Sequence, residues 1–531
     1  MKVRDKKRPA IHKTQGGQPT PKPMAQGYSF PAPMRGWIQN ENLSAVRPGG
    51  ATTLDNWICT MSGVRVRGGC VELTNITDPV RTLMTYRSTG GKLFAATDTG
   101  IYEASNSGAL AVGSLTSGDF SSVQFGTAGG SFMYAVNGND EAQLFDGASW
   151  QTVNAASTPH AITGVDTATL NHAWTFASRI WFVEQGTQSA WYLDVGNVSG
   201  TATEFSLASV FTMGGSLLFG ATWSLDAGDG LDDKCVFVST EGEVVIYEGT
   251  DPSSITTWTK VGRYEMPKPL GRRAHVSAGG DLLIATESGL IPVSAALKAD
   301  IAALEAQAVS KPIYPYWQDR ASNLTSKSWE VVKDATAGVM FVSQPDATGA
   351  TQTCLAANLI SGAWSRSTGW DVQCLAEYEG RTYFGSLDGG VYLADEGGSD
   401  NGAIFTATYL GLFESLGAFG VQKSMRQVRP VFSAGTPISP RVGARADYND
   451  ALPPPPEPSQ GVTADVWDSA VWDSAVWDSG VAPRPSAEWF SAGVTGNAIA
   501  PFVQISSSGD QKPAVELVSI DAQYTAGAVV A

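Results

Sequence analysis

Between residues 80 and 396, apolar residues recur in pairs of short runs that are separated by polar turns containing glycine. The pattern is clearest in LFAATDTGIYEA (93–104), VFVSTEGEVVIYE (236–248), LLIATESGLIPVS (282–294) and YFGSLDGGVYLAD (383–395). Looser versions occupy residues 132–146, 180–194 and 339–359. Apolar runs of this length between turn signals predict β-strands, and each polar turn joins two of them into a hairpin.

The spacing of these hairpins predicts how they assemble. They begin at residues 93, 132, 180, 236, 282, 339 and 383, at intervals of 39, 48, 56, 46, 57 and 44 residues. A period of about 40 to 50 residues is typical of a β-propeller, in which radially packed blades bury the apolar faces of their neighbours. We therefore predict an all-β fold with a β-propeller of six to eight blades, seven being the preferred count. An irregular array of β-sandwiches is the alternative.

One segment, SAALKADIAALEAQAVSKP (294–312), departs from the β pattern. An apolar stripe of helical spacing runs along it, Ser294 is placed to cap its start, and Pro312 follows its end. The residues of that stripe are Leu297, Ile301, Leu304 and Ala308. We predict a helix near 294–310, inserted between two blades, whose stripe packs on the propeller rim or binds a partner.

The pattern also predicts three regions. Residues 1–45, rich in Pro, Gly, Lys and Gln, have the composition of an extended basic arm, and residues 46–396 hold the propeller. Residues 397–531 are predicted as a β-rich, sandwich-like C-terminal domain, because AIFTATYLGLF (403–413) and AVELVSIDAQY (514–524) read as strands. Four consecutive prolines make 451–461 an extended spacer within it.

Charge divides the chain unevenly. The formal net charge is −16, yet residues 1–35 carry eight basic residues against one acidic residue, Asp5, which leaves −23 for the rest. An acidic body repels nucleic acid and anionic membranes, whereas the arm is either a solvated tail or pairs with nucleic acid, an anionic membrane or an acidic neighbouring protein. The basic residues of this segment are Lys2, Arg4, Lys6, Lys7, Arg8, Lys13, Lys22 and Arg35.

Cysteine usage and hydropathy bear on the compartment. The five cysteines are scattered and include no CxxC pair, which favours free thiols and folding in the cytoplasm. No signal peptide and no membrane-spanning segment are expected.

The sequence offers few signals of chemistry. Its four histidines are not spaced as metal ligands, and no nucleophile elbow or phosphate loop occurs, so we expect no catalytic residues, cofactor or metal. The stretch SLDAGDGLDD (224–233) begins like the Asp-box turn of sialidase propellers and like a calcium loop. Leu231 replaces the required tryptophan, and Gly228 and Gly230 replace oxygen ligands. A solvated loop is the favoured interpretation, and a cation site and the remnant of a glycosidase site are the alternatives.

Residues 465–481, DVWDSAVWDSAVWDSGV, repeat a five-residue unit around Trp467, Trp472 and Trp477. WD40 repeats are excluded, because their WD dipeptide returns after a whole blade. A period of five turns successive side chains to opposite faces of a strand, or by about 140° around a helix. A chain that turns at each Asp-Ser pair would instead place the three indoles in successive pockets, on its own propeller or on a neighbouring subunit. These three tryptophans are the predicted interaction residues.

Several stretches, in order, resemble one family. They are WIQNENLSAVRPGGATTLDNWICTMSGVRVRGGC (37–70), ESGLIPVSAALKADI (287–301), CLAANLISGAWSRSTGWDVQCLAEYEGRTYFGSLDGGVYLAD (354–395), and the VWDSA units followed by AVELVSIDAQYTAGAVV. Together they are similar to the tail hub or nozzle proteins of short-tailed bacteriophages, also called tail tubular protein B. The resemblance covers most of the chain from residue 37 onward.

This resemblance implies a structural virion protein that assembles in the host cytoplasm. It implies a homohexameric ring in the phage tail that contacts tail adaptor or tube proteins and tail fibres and lines the DNA ejection channel, with double-stranded DNA passing through without specific binding. An acidic lumen agrees with such passage, because it forms no ion pairs with phosphate. The alternatives are a carbohydrate-binding or glycan-cleaving β-propeller and a bacterial scaffold propeller.

Overall fold

The computed structural model describes residues 25–40, 47–106, 108–224, 233–254, 256–323, 328–346, 352–435, 438–458 and 484–529. Strands account for 52% of the structure and helices for 6%, so the predicted all-β class is confirmed.

Six small antiparallel sheets form the blades of a β-propeller. Blades 1 and 2 consist of Thr82–Tyr86, Lys92–Ala96, Gly100–Glu103 and Ala109–Gly113, and of Ser121–Thr127, Gly130–Val136, Ala142–Phe145 and Trp150–Val153. Blades 3 and 4 consist of Leu170–Phe176, Arg179–Glu184, Ser189–Tyr192 and Thr203–Ser206, and of Leu217–Trp223, Lys234–Ser239, Glu243–Gly249 and Trp258–Glu265. Blades 5 and 6 consist of His275–Ala278, Asp281–Thr286 and Gly289–Pro292, and of Cys374–Tyr378, Arg381–Gly385, Gly390–Ala394 and Cys70–Asn75.

A further set of four strands, which we call the shared blade, stands in the same ring between blades 5 and 6. Its strands are Glu330–Asp334, Val339–Ser343, Thr353–Asn358 and Trp364–Thr368. The first of them contacts the first strands of blades 5 and 6. The shared blade continues across its outer edge into Ala51–Asp55, Phe405–Gly411, Ile499–Ser507 and Arg441–Ala446, which completes an eight-stranded sheet. Six separate blades and the shared blade agree with the predicted range of six to eight.

Each of the seven predicted hairpins coincides with the second and third strands of one unit of this ring. These middle strands are buried almost throughout, as in Lys234–Ser239 and Val339–Ser343, so their apolar runs are nearly continuous. Outer strands face solvent, and their weaker pattern explains why only the hairpins stood out.

The ring is closed by a strand from the start of the chain. Cys70–Asn75 is the outer strand of blade 6 and pairs antiparallel with Gly390–Ala394. The first strand of blade 6 contacts Thr82–Tyr86 of blade 1. Residues more than 300 positions apart therefore hold one blade together.

A second large sheet packs against the eight-stranded sheet. It contains Trp57–Cys59, Val64–Val66, Val515–Val529, Val421–Ala434, Arg484–Ala487, Gln26–Pro31 and Phe490–Gly496. Val428 and Leu517 from this sheet share one buried core with Tyr409 and Val503 from the other, which makes the predicted β-sandwich.

Two boundaries differ from those predicted. Gln26–Pro31, which the composition assigned to an extended arm, pairs antiparallel with Val515–Val529 in the sandwich. Residues 51–66, assigned to the propeller, supply strands to both sandwich sheets. Both segments lie far from the C-terminal domain in sequence, so composition gave no signal of the pairing.

The prediction of one helix near 294–310 was wrong in its details. Val293–Ala296 and Ile301–Leu304 are two separate helical turns, followed by the 3₁₀ turns Glu305–Gln307 and Lys311–Ile313. Ser294 lies inside the first turn, and Asp300 breaks the helix because its side chain accepts a hydrogen bond from the Ala302 amide. The predicted stripe is thereby divided, with Leu304 buried and Ile301 40% exposed.

The longest helix, Tyr314–Asn323, was not predicted, and it packs Trp317 into the core beside blade 5. The remaining elements are the 3₁₀ turn Thr167–Thr169 and the parallel pair Ile162–Thr163 and Gly200–Thr201.

Candidate functional site

The residues that the sequence singled out fall outside the described part of the chain. Trp467, Trp472 and Trp477 lie in 459–483, and all but the two end residues of the 224–233 stretch lie in 225–232. Their contacts stay predictions, and the candidate sites below come from the described residues.

The first strands of blades 2 to 5 and of the shared blade surround a cavity of about 390 Å³, which we call the axial cavity. Small residues make room for it, since Ala173, Gly220 and Ala221 line its wall. A Cβ atom at Gly220 would overlap the Trp174 ring. Its polar lining comes chiefly from Arg272, Arg273, Glu330, His172, His275 and Ser121.

Two consecutive arginines form the charged side of the axial cavity. Arg272 Nη2 lies 3.0 Å from Asp119 Oδ2, and Arg273 Nη2 lies 3.1 Å from Asp119 Oδ1. Arg273 Nη1 also donates to Thr82 Oγ1 at 2.9 Å and faces Glu330 Oε1 at 3.7 Å. The second Glu330 oxygen accepts from the Leu375 amide at 2.8 Å. The loop that carries both arginines is thus tied to blade 1 and to the shared blade, whose Glu330 in turn binds blade 6.

Burial alters the charge balance of this group. Desolvation raises the pKa of Glu330, although Arg273 and the Leu375 amide oppose the rise. Desolvation also lowers the pKa of the Arg272 guanidinium. Asp119, whose side chain is 43% exposed, is the counter-charge for Arg272, whereas Glu330 and then Asp119 raise the pKa of the Arg273 guanidinium against its desolvation.

His172 joins three blades. Its Nε2 lies 2.9 Å from the Gly220 carbonyl oxygen, which only accepts, so Nε2 carries the proton and Nδ1 accepts from Ser121 Oγ at 2.9 Å. Ser121 Oγ in turn accepts from the Ala173 amide at 3.3 Å. Burial lowers the pKa of His172 to about 3, so this serine–histidine pair is a weak proton acceptor at neutral pH. Its geometry suits the linking of blades better than nucleophilic chemistry.

His275 lies beside His172, with ring centroids 5.9 Å apart, and is stacked on Phe219 with ring centroids 4.4 Å apart. Burial lowers its pKa to about 4, so the ring is neutral at pH 7. Among the described residues, no hydrogen-bond partner lies within reach of the buried Arg272 Nε and Arg273 Nε, whereas the His275 ring is hydrogen-bonded to the Arg272 backbone. The axial cavity therefore has polar nitrogens left over from the fold's own network.

A second charged site, the Arg67 junction, links the propeller to the sandwich. Arg67 is fully buried, and its guanidinium lies between the rings of Trp370 and Phe405, at 4.3 and 4.2 Å from their centroids. Its donors reach both carboxylate oxygens of Asp400, at 2.8 and 2.7 Å, Asn56 Oδ1, and the carbonyls of Gly68 and Thr368.

Close packing at this junction explains the two glycines of the Arg-Gly-Gly sequence at 67–69. A Cβ atom at Gly68 would overlap the backbone of Asp395, and one at Gly69 would overlap the Ser399 carbonyl. Both glycines thus allow the chain to pass against another backbone as it enters blade 6. In the sequence, this motif is part of the family resemblance, but no neighbouring residue indicates that the arginine is buried.

The outer strand of blade 1 is an uncharged edge of the propeller, and the neighbouring outer strand of blade 6 carries one exposed charged residue, Glu72. The last strand of blade 1, Ala109–Gly113 (ALAVG), is mostly exposed, with Leu110 at 59%. Val71 and Leu73 on the neighbouring outer strand of blade 6 are 45% and 43% exposed. Gly108 directly precedes the blade 1 strand. A Cβ atom added to it would lie 2.9 Å from Thr74 Oγ1 in the blade 6 strand, so the two strands are close. We call Val71, Leu73 and Leu110 the rim patch.

The outer strands of blades 3 and 4 carry charges, whereas those of blades 1 and 2 carry none. Glu204 lies in the outer strand of blade 3, and Lys260 and Arg263 lie in that of blade 4. Charges on edge strands oppose pairing with another chain. The outer strand of blade 1 lacks this protection.

The described residues contain no group of three or more His, Cys, Asp or Glu side chains placed to hold a metal ion. Within the same residues, no helix has both the length and the apolar character needed to cross a bilayer.

Comparisons with known proteins show likeness to solved structures only. No family model and no curated protein matches the chain. The β-propeller domain of Myceliophteria thermophila Cps50 (Swd1) is 12% identical over 60% of this chain and 96% of its own, with a TM-score of 0.38. BamB from Moraxella catarrhalis is 12% identical over 64% and 93%, with a TM-score of 0.34. Saccharomyces cerevisiae Sqt1 is 13% identical over 62% and 98%, with a TM-score of 0.35.

Proposed function

We propose that this protein is a structural component of a short phage tail, where it forms the nozzle or hub ring around the DNA ejection channel. The rim patch is the observation that carries the proposal. An exposed strand of small and apolar residues, beside two further exposed apolar side chains, favours burial against another subunit. In a cyclic ring, each subunit contributes two different surfaces to its neighbours, and the rim patch is suited to be one of them.

The link between propeller and sandwich supports a mechanical role. The shared blade runs directly into the sandwich, and the buried Arg67 junction fastens the same boundary with charged hydrogen bonds. A ring that resists the pressure of packaged DNA needs rigid subunits, and these two connections oppose bending between the two parts.

The charge of the chain is consistent with DNA passage. The net charge of −23 outside residues 1–35 disfavours ion pairing with phosphate, so DNA slides through without specific binding. Assembly in the host cytoplasm, incorporation into the virion, and contacts with adaptor or tube proteins and tail fibres belong to the same proposal.

Native mass spectrometry and electron microscopy of the full chain test this proposal. We expect a closed ring of six subunits, formed by the chain alone or with the other tail proteins. Leu110→Glu should abolish the ring, because it places a charge in the rim patch that the interface would bury unpaired. Val195→Glu is the matched control, since Val195 is 56% exposed in a turn of blade 3, away from the rim patch.

The outcomes separate the proposals. A chain that stays monomeric at every concentration, with and without the other tail proteins, contradicts the ring and directs attention to glycan binding, measured on a host polysaccharide array. A ring that survives Leu110→Glu would exclude the rim patch from the interface. Replacing Trp467, Trp472 and Trp477 together with Ala tests their predicted anchoring, which predicts a lower melting temperature or loss of the ring.

A further inference from the structure

The arginines of the axial cavity are less completely hydrogen-bonded than Arg67. All five N–H donors of Arg67 have acceptors within the fold. Arg272 and Arg273 each leave Nε without a partner among the described residues. Buried polar groups in native proteins are nearly always satisfied, so a molecule bound in the cavity would supply the partners that these two nitrogens lack.

The charge of the cavity lining indicates which charge a bound molecule should carry. Two guanidinium groups share the Asp119 carboxylate, which does not line the cavity, and Glu330 is the one carboxyl group among the described residues that line it. Both Glu330 oxygens are already engaged, one by the Leu375 amide and one facing Arg273. The cavity lining therefore carries two guanidinium groups against one carboxyl group, so positive charge is in excess there.

The size of the cavity and its access to solvent restrict the kind of molecule that it can bind. A volume of about 390 Å³ accommodates a small molecule rather than a macromolecular segment. The side chains of Arg272 and Arg273 keep 14% and 12% exposure, and Asp119 is 43% exposed. The charged group therefore reaches solvent from one side.

We propose that the axial cavity binds a small oxyanion, of the carboxylate or phosphate class, held by Arg272 and Arg273 with His275 as an additional polar contact. Arginine is suited to this task because its planar fork matches the oxygens of either group. The bound anion would draw the two guanidinium groups toward a common partner at the centre of blades 2 to 5. This site is independent of ring formation, since none of its residues belongs to the rim patch.

The first test measures anion binding to the full-length chain by calorimetry. Inorganic phosphate and malonate serve as separate probes, with chloride at matched ionic strength as the reference. We expect saturable binding of at least one probe at one site per chain, and the stronger probe identifies the class. Arg272→Gln should weaken this binding by about tenfold, because it removes a charged hydrogen bond. Arg87→Gln should leave it unchanged, since Arg87 is 60% exposed in an ion pair with Glu377 away from the cavity.

A second measurement does not depend on a variant that folds. The unaltered chain, crystallised with selenate, should show an anomalous peak in the axial cavity beside Arg272 and Arg273. An empty or water-filled cavity under these conditions would overturn the proposal. Equal anion binding by the Arg272→Gln and Arg87→Gln variants would also overturn it, because binding would then arise elsewhere on the chain.

Discussion

Arg67 illustrates how a single charged residue fixes the boundary between the propeller and the sandwich. Its five donors contact Asn56, Gly68, Thr368 and both oxygens of Asp400, and aromatic rings cover both faces of its guanidinium. A buried ion pair is tolerated only when all its hydrogen-bonding groups are satisfied, and this pair meets that condition. Removing one partner therefore leaves the other charge buried without its counter-charge, which lowers the free energy of unfolding.

We expect Arg67→Met to lower the free energy of unfolding by about 3 to 5 kcal/mol. Methionine fills much of the same space, but it leaves Asp400, whose side chain is 9% exposed, without its counter-charge. Urea unfolding followed by circular dichroism measures the change. Arg381→Met on the exposed end of a blade 6 strand is the control and should cost little. Equal stability of the two variants would show that the junction contributes nothing.

At the scale of elements, the parts that sequence reasoning could find are those with a local signal. The seven hairpins were predicted because their strands are buried on both faces, so apolar runs and turn glycines recur along the chain. The helix near 294–310 was mispredicted because Asp300 offers the backbone a competing hydrogen bond in the middle of an apolar stripe.

Long-range pairing had no such local signal. Ala51–Asp55 pairs in parallel with Trp364–Thr368, and Cys70–Asn75 closes blade 6 from the opposite end of the propeller sequence. The axial cavity was missed for the same reason, since Arg272, His172 and Glu330 converge from separate blades. Their sequence neighbours give no indication that these side chains face one another.

The strand that closes the ring provides a prediction at this scale. Gly69→Ala should destabilise the protein by about 1 to 3 kcal/mol, because the new methyl group would overlap the Ser399 carbonyl and push the chain away from blade 6. Gly126→Ala is the control, since Gly126 lies in a blade 2 strand with open space where the methyl group would stand. Thermal unfolding compares the two variants. A melting temperature for Gly69→Ala no lower than that for Gly126→Ala would show that the contact relaxes freely.

At the scale of the whole molecule, the eight-stranded sheet determines how the propeller and the sandwich respond to a destabilising substitution. Half of this sheet stands in the propeller ring and half in the sandwich, and hydrogen bonds run across the boundary between Asp55 and Arg366. A sheet that spans two regions cannot unfold in one without exposing an edge in the other. The propeller and the sandwich should therefore behave as one cooperative unit rather than as separate domains.

Val503→Ala tests this coupling from the sandwich side. Val503 is fully buried in the sandwich core, and its truncation should cost about 2 kcal/mol. If the two parts unfold together, hydrogen exchange should become faster by a similar factor in Ile499–Ser507 and in Gly130–Val136 of blade 2, which lies far from the substitution in the ring. Val195→Ala, at an exposed position, should leave both segments protected. Loss of protection confined to the sandwich strands would instead mean that the shared blade separates from the sandwich, and that the propeller is stable without it.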